Sequence, residues 1–208
     1  MIAPAKEIRG GRGSSFGRAL AGFVMGTLLL LASSGLAWTA KGQNPTRPRS
    51  APEPAVKAAA ILKILPFVQW PTNTFAASNS TFVMVVLDAP EVAAQLQKVA
   101  AEQKIGDHPI QVRRQMPDSC QDVQLIYVGR DYRRGLAGVP EAVRHSPILL
   151  VGEQPGFARS GGTINLLLTA ESSQIEISRG AASRVGIRFS SHLASLRAIQ
   201  WIDDTHGQ

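Results

Sequence analysis

A single cysteine, Cys120, stands among 208 residues, so an intramolecular disulfide is excluded whatever the redox state of the surroundings. Histidines are few. His108, His145, His192 and His206 lie far apart with no metal-ligand spacing, and each reads as a surface or turn residue. There is no G-x-S-x-G elbow, no G-x-x-x-x-G-K-S/T phosphate loop and no H-E-x-x-H zinc helix. With these go the commonest signatures of nucleophilic, nucleotide-dependent and zinc-dependent catalysis. A bilayer-spanning run is missing too: the stretch Ala19–Ala32 is about 14 apolar residues long, against the roughly 20 that a transmembrane helix needs.

That short run has a different meaning. Arg9, Arg12 and Arg18 precede it, and Gly35 and Ala37 follow at the spacing of a signal-peptidase site, so residues 1–37 read as a signal peptide cleaved after Ala37. An uncleaved anchor, with Trp38 at the membrane interface, is the alternative. Both place the body outside the cytoplasm. Without the leader, 18 basic residues face 14 acidic ones, a net +4 rather than +7. That excess is too small to imply nucleic acid, and Arg113, Arg114, Arg130, Arg133 and Arg134 read as a solvated surface. Residues 38–54 form a Pro/Arg-rich linker too polar to bury a core, residues 55–202 a single domain, and residues 203–208 a polar tail.

Within the domain, Ile61, Leu65 and Val68 fall on one face of a helix over Ala55–Val68, with Lys57 and Lys63 on its wet side and a kink or stop near Leu65 imposed by Pro66. The β-branched run Phe82–Leu87 predicts a central strand, and Pro90 opens a helix carrying Val92, Leu96 and Val99 to about Gln103. Ile110 and Val112 alternate with polar residues, as in a half-exposed strand near an edge, whereas Leu125–Val128 and Ile148–Val151 read as interior strands. Between them Asp131–His145 carries a weak helical signal broken at Gly138 and Pro140. Thr163–Leu168 and Gln174–Ser178 alternate and are joined by five residues, which predicts a β-hairpin with Ile164, Leu166, Leu168, Ile175 and Ile177 inward. Helices over Ala181–Val185 and Ser191–Ile199, the latter capped by Ser190, close the chain. The expected fold is α/β: a three-layer mixed sheet with a C-terminal β-hairpin and helices on both faces.

Three features could carry chemistry. Cys120 would be a nucleophile if a histidine and a carboxylate met it, but ahead of a buried strand it reads as a small core residue. Gly152–Gly162 holds four glycines, yet no helix follows to complete an anion cradle, so the glycines read as turn formers. Asn79-Ser80-Thr81 matches a glycosylation sequon. No catalytic, metal or cofactor site is expected.

Read in order, Ala59-Ala60-Ile61-Leu62, Phe67-Val68-Gln69-Trp70-Pro71, Gly106-Asp107-His108-Pro109-Ile110-Gln111-Val112, and Cys120 ahead of Leu125-Ile126-Tyr127-Val128 resemble the YfiR family of periplasmic DUF4154-type domains. The C-terminal half is closer still, through Gly156-Phe157, Gly161-Gly162-Thr163-Ile164-Asn165, Ile175-Glu176-Ile177, Ala181-Ala182 and Gly186-Ile187-Arg188-Phe189-Ser190-Ser191-His192-Leu193. The likeness runs from about Ala55 to Leu196. It implies a periplasmic α/β domain of a family whose best-known member represses a membrane diguanylate cyclase by binding its periplasmic sensor region. Two departures qualify the transfer. The family's redox-responsive member has paired cysteines where this chain has only Cys120, and Pro66 interrupts a helix that the family keeps smooth.

The expected function is a periplasmic regulatory binding protein restraining a membrane diguanylate cyclase or other membrane sensor, with no reaction of its own. It needs no membrane insertion after cleavage, and a homodimer is compatible with it. Asn165, Glu176 and Ser178 on the polar hairpin face, with Phe189, Ser190 and Ser191 in the following turn, are the candidate partner or ligand contacts. The competing view of Asn165 and Glu176 is that they satisfy local polar groups. The alternative function is a periplasmic small-molecule-binding module of a transport or sensor-kinase system, which a pocket at the carboxyl ends of the inner strands would favour. A hydrolase built on Cys120 ranks last.

Overall fold

The computed structural model describes residues 52–75, 77, 80–169 and 172–202. The predicted leader, the linker up to residue 51, the tail, Asn79 and His206 lie outside them.

Alanine-rich Glu53–Ile64 forms α1, and Pro66 ends it as expected: the chain tightens into a 3₁₀ turn over Leu65–Phe67 and leaves as the two-residue β1, Val68–Gln69. The apolar run Phe82–Leu87 is β2, followed by α2 (Pro90–Ala100) with proline at its first position. Two short strands, β3 (Lys104–Ile105) and β4 (His108–Arg113), make a tight hairpin through Gly106, whose φ of 59° suits glycine. Then come β5 (Val123–Val128), a 3₁₀ turn over Gly135–Gly138, the single-turn α3 (Glu141–Arg144) and β6 (Leu149–Gly152). The C-terminal part holds β7 (Ile164–Leu168), β8 (Ser173–Ser178), α4 (Arg179–Arg184), β9 (Arg188–Phe189), a 3₁₀ turn over Ser191–Ser195 and β10 (Ile199–Ile202).

Eight strands form one mixed sheet in the order β10-β8-β7-β6-β5-β2-β4-β3. The five from β7 to β4 run parallel, the β7–β8 hairpin is antiparallel, and β10 returns parallel to β8. Both faces of the inner strands are covered. Phe82, Met84, Val86, Leu125, Tyr127 and Leu149 pack under α1 and α2, while Val83, Val85, Ile126, Val128 and Leu150 meet Leu136, Val143 and Phe157 on the opposite side. Two-sided burial is why these strands read as continuous apolar runs.

Gln124 is the one polar residue buried within β5. The β2–β5 register slips between Val83 and Met84, and the Gln124 side-chain oxygen accepts the Val83 N–H at 2.8 Å. The glutamine thus satisfies a backbone donor inside a core where an unmet one costs about 1–3 kcal/mol.

Three expectations are revised. The helix predicted over Ser191–Ile199 is only a 3₁₀ turn, after which Ile199, Gln200, Trp201 and Ile202 pair with Ile175–Ser178 as an edge strand. The open backbone groups of β8 favour pairing there, and Ile175 donates to the Ala198 carbonyl at 2.8 Å. Lys57 is buried rather than on the wet side of α1, whereas Lys63 is exposed. The polar face of the hairpin is interior too: Thr163, Asn165, Glu176 and Ser178 are all buried, because alternation marks two chemically different faces but not which of them meets water.

Candidate functional site

Asn165 and Glu176 are opposite one another in the β7–β8 register, and the Asn165 amide donates to the Glu176 carboxylate at 2.9 Å. Asn165 is fully buried with its carbonyl oxygen unpartnered. Ser178, also fully buried, caps α4 by accepting the Ala181 N–H at 3.0 Å. These three side chains therefore support the hairpin and the start of α4 from within.

Phe189, Ser190 and Ser191 are more accessible and lie apart from that trio. β9 pairs with β1, and the Ser190 N–H donates to the Phe67 carbonyl, which ties the turn to the exit of α1. The Ser190 hydroxyl caps the 3₁₀ turn at His192 N. Beside it is a cleft of about 290 Å³ lined by Arg179, Ile187, Phe189, Ser190, Ser191 and Trp201. The Arg179 guanidinium stands 4.1 Å from the centroid of the Trp201 ring, and Phe189 meets that ring edge-on at 5.9 Å. Leu196, in the connection to β10, is the exposed large hydrophobic among the described residues.

Cys120 is half-buried with its thiol 3.6 Å from the Met116 sulfur. Burial, and then the Asp122 carboxylate, push the thiol up from its ordinary value, opposite to what a nucleophile requires. The described histidines are engaged elsewhere. His108 donates from Nδ1 to the Ser80 carbonyl at 2.7 Å and stacks on Phe75, His145 faces Glu141, and His192 meets Ser190. In the glycine segment, Gly152 and Gly162 leave room for the Phe157 ring, which a Cβ at either position would strike at 2.4 and 2.3 Å. Its glycines serve packing and turns.

A second polar centre, which the sequence reading missed, lies at the carboxyl ends of β2, β5 and β6. Lys57 of α1 forms a buried ion pair with Glu153, the residue after β6, and a second contact with Glu53 at 2.6 Å. The other Glu153 oxygen accepts the Tyr127 hydroxyl at 2.9 Å and the Arg130 N–H at 3.1 Å. Glu153 is 4 % exposed and Lys57 6 %, so each charge depends on the other for the solvation it has lost. Burial, and next the Glu153 charge, raise the Tyr127 phenol far above its ordinary value and keep it a donor. The Arg130 guanidinium approaches Glu53 and Glu153 at 3.7 and 3.8 Å, and Gln154 holds the strand exit by donating to the Arg130 and Tyr132 carbonyls.

Here the chain changes direction across the sheet. From β2 it crosses to β4 on one side and then to β5 on the other, so the ends of β2 and β5 flank a topological switch point, where open α/β sheets place their ligands. Gly129 lets the two strand ends touch: a Cβ there would come within 2.4 Å of the Asp88 carbonyl oxygen. Asp88 itself adopts a φ of 47°, left-handed for a residue with a side chain. Above the buried pair is a cleft of about 360 Å³ that Glu53, Lys57, Asp88, Glu91, Arg130 and Asp131 help to line. One signal for it was present in the sequence. Lys57 falls four residues before Ile61, on the apolar stripe itself, where an unpaired lysine would not be tolerated.

Among the described residues no cluster of three His, Cys, Asp or Glu could hold a metal ion, and no helix is long and apolar enough to cross a membrane. Among curated proteins none matches the chain. The profile of one family, described as YfiR/HmsC-like, matches residues 54–197, which takes in α1 and runs to the threshold of β10. This match spans well over half of the 208 residues, and with the mixed α/β sheet it agrees with the resemblance read from the sequence: the chain belongs to the YfiR/HmsC-like family.

Proposed function

We propose that the protein is a periplasmic regulatory binding protein, without a reaction of its own, that restrains a membrane signalling protein such as a diguanylate cyclase. Family membership supports the regulatory reading, and the basic, apolar and small-residue pattern of the leader supports export. The observation that carries the binding surface is the corner where Arg179, Phe189 and Trp201 come together beside Ser190 and Ser191. Arginine and large aromatics dominate the binding energy of protein interfaces. Asn165, Glu176 and Ser178 act on this surface from beneath, by fixing β8 and the start of α4.

Crosslinking the exported protein in its native cells, with mass spectrometry of what is recovered, tests the proposal. A membrane protein with a cytoplasmic cyclase or sensor domain is expected, and its recovery should fall with Trp201→Ala. Recovery of only the protein itself would overturn the partner reading.

A second reading is favoured by one observation, the cleft at the carboxyl ends of the inner strands: a small-molecule-binding module.

A further inference from the structure

We infer that the cleft above the Lys57–Glu153 pair binds a small organic cation, a primary amine or guanidinium compound. The inference rests on the small-molecule reading and names its ligand class. The cleft has about 360 Å³, within the range of small-ligand sites, and it lies at the switch point between β2 and β5. It is therefore a formed recess with a charged floor, built by elements far apart in sequence.

Its electrostatics choose the sign of the ligand. Five carboxylates, those of Glu53, Asp88, Glu91, Asp131 and Glu153, line it against two cations, Lys57 and Arg130. The floor neutralises itself, since Lys57 and Arg130 together balance Glu53 and Glu153. On the rim, Asp88, Glu91 and Asp131 are exposed and take part in none of the ion pairs of the described residues. An anion would need donors there. The starts of α1 and α2, which border the cleft, would ordinarily supply backbone N–H groups, but each carries a proline in its first two positions and a glutamate in its first turn. Proline removes a donor and the glutamate occupies the positive end of the helix. A metal ion is disfavoured by the lack of three convergent metal ligands among the described residues. An ammonium or guanidinium group, which can pair with a single carboxylate in charge-assisted hydrogen bonds and does not need three ligands on one centre, meets every one of these conditions.

The test is isothermal titration calorimetry of the full chain at about 0.15 M salt, where interactions between distant surface charges are screened. The cationic probes are 1,4-diaminobutane, 1,5-diaminopentane and agmatine, and inorganic phosphate is the anionic probe. At least one cation should bind saturably. Asp88→Asn combined with Asp131→Asn should weaken it by about tenfold or more, the loss expected when charged hydrogen bonds are removed, with the thermal midpoint unchanged. Asparagine tolerates the left-handed backbone at position 88, so the variant folds. Glu141→Gln, at an exposed carboxylate on α3 outside the cleft, should bind as the parent does. Binding of phosphate but of no cation, abolished by Arg130→Ala, would overturn the cation assignment and leave the small-molecule reading standing. Binding of none of the four probes, or an equal loss in Glu141→Gln, would overturn both.

Discussion

Buried charge is the most consequential feature at the scale of single residues. Glu153 has three donors, the Lys57 ammonium, the Tyr127 hydroxyl and the Arg130 amide, and loses its compensation when the first is removed. Lys57→Met should destabilise the protein by about 3–5 kcal/mol in urea unfolding, because it strands a buried carboxylate. Tyr127→Phe removes one charged hydrogen bond and should cost about 1.5–3 kcal/mol. If Lys57→Met cost no more than an exposed substitution, the pair would not be closed in solution. Glu53 adds a pH dependence. The hydrogen bond and charge of Lys57 lower its carboxyl from 4.5, so its contribution is present above that value and is lost as pH falls through the lower folded-state value. The stability difference between the protein and Glu53→Gln should therefore be present near neutrality and shrink on acidification below about pH 4.5, measured as thermal midpoints.

At the scale of elements, the contact between the ends of β2 and β5 has little tolerance. A methyl group at position 129 would meet backbone, the Asp88 carbonyl oxygen at 2.4 Å, and backbone cannot rotate away as a side chain can. Gly129→Ala should destabilise by about 1–3 kcal/mol through overpacking, and any ligand of the cleft should bind more weakly as well. Gly106→Ala serves as the comparison, since its Cβ would meet nothing within 4 Å and the strain is only that of a φ of 59°. Denaturation of the two variants side by side separates close approach from backbone conformation. The β7–β8 hairpin shows how far alternation carries. Its apolar set Ile164, Leu166, Leu168, Ile175 and Ile177 was legible and is buried, but the fate of Asn165 and Glu176 was not, because both faces of this sheet are covered.

For the whole molecule, stability comes from packing on two faces of one sheet, with no covalent staple within the chain. The thermal midpoint should be the same with and without dithiothreitol, and a shift would reveal an intermolecular bridge through Cys120. Connectivity across the molecule is also what joins the two centres. α1 carries Lys57 to the strand ends at its start and, through the 3₁₀ turn and β1, reaches β9 beside the arginine and tryptophan corner.

Much of this was written in the sequence. Runs of β-branched residues dictated the inner strands because two-sided burial leaves few positions for polar side chains, Pro66 and Pro90 dictated where helices stop and start because proline removes a donor, and the single cysteine excluded intramolecular disulfide control. Tertiary structure alone decided the rest. That Lys57 meets a carboxylate 96 residues away, that Ile199–Ile202 completes the sheet, and that the ends of β2 and β5 enclose a cleft all depend on strand order. Local patterns record which residues avoid water, but strand order is set by the packing of the whole chain.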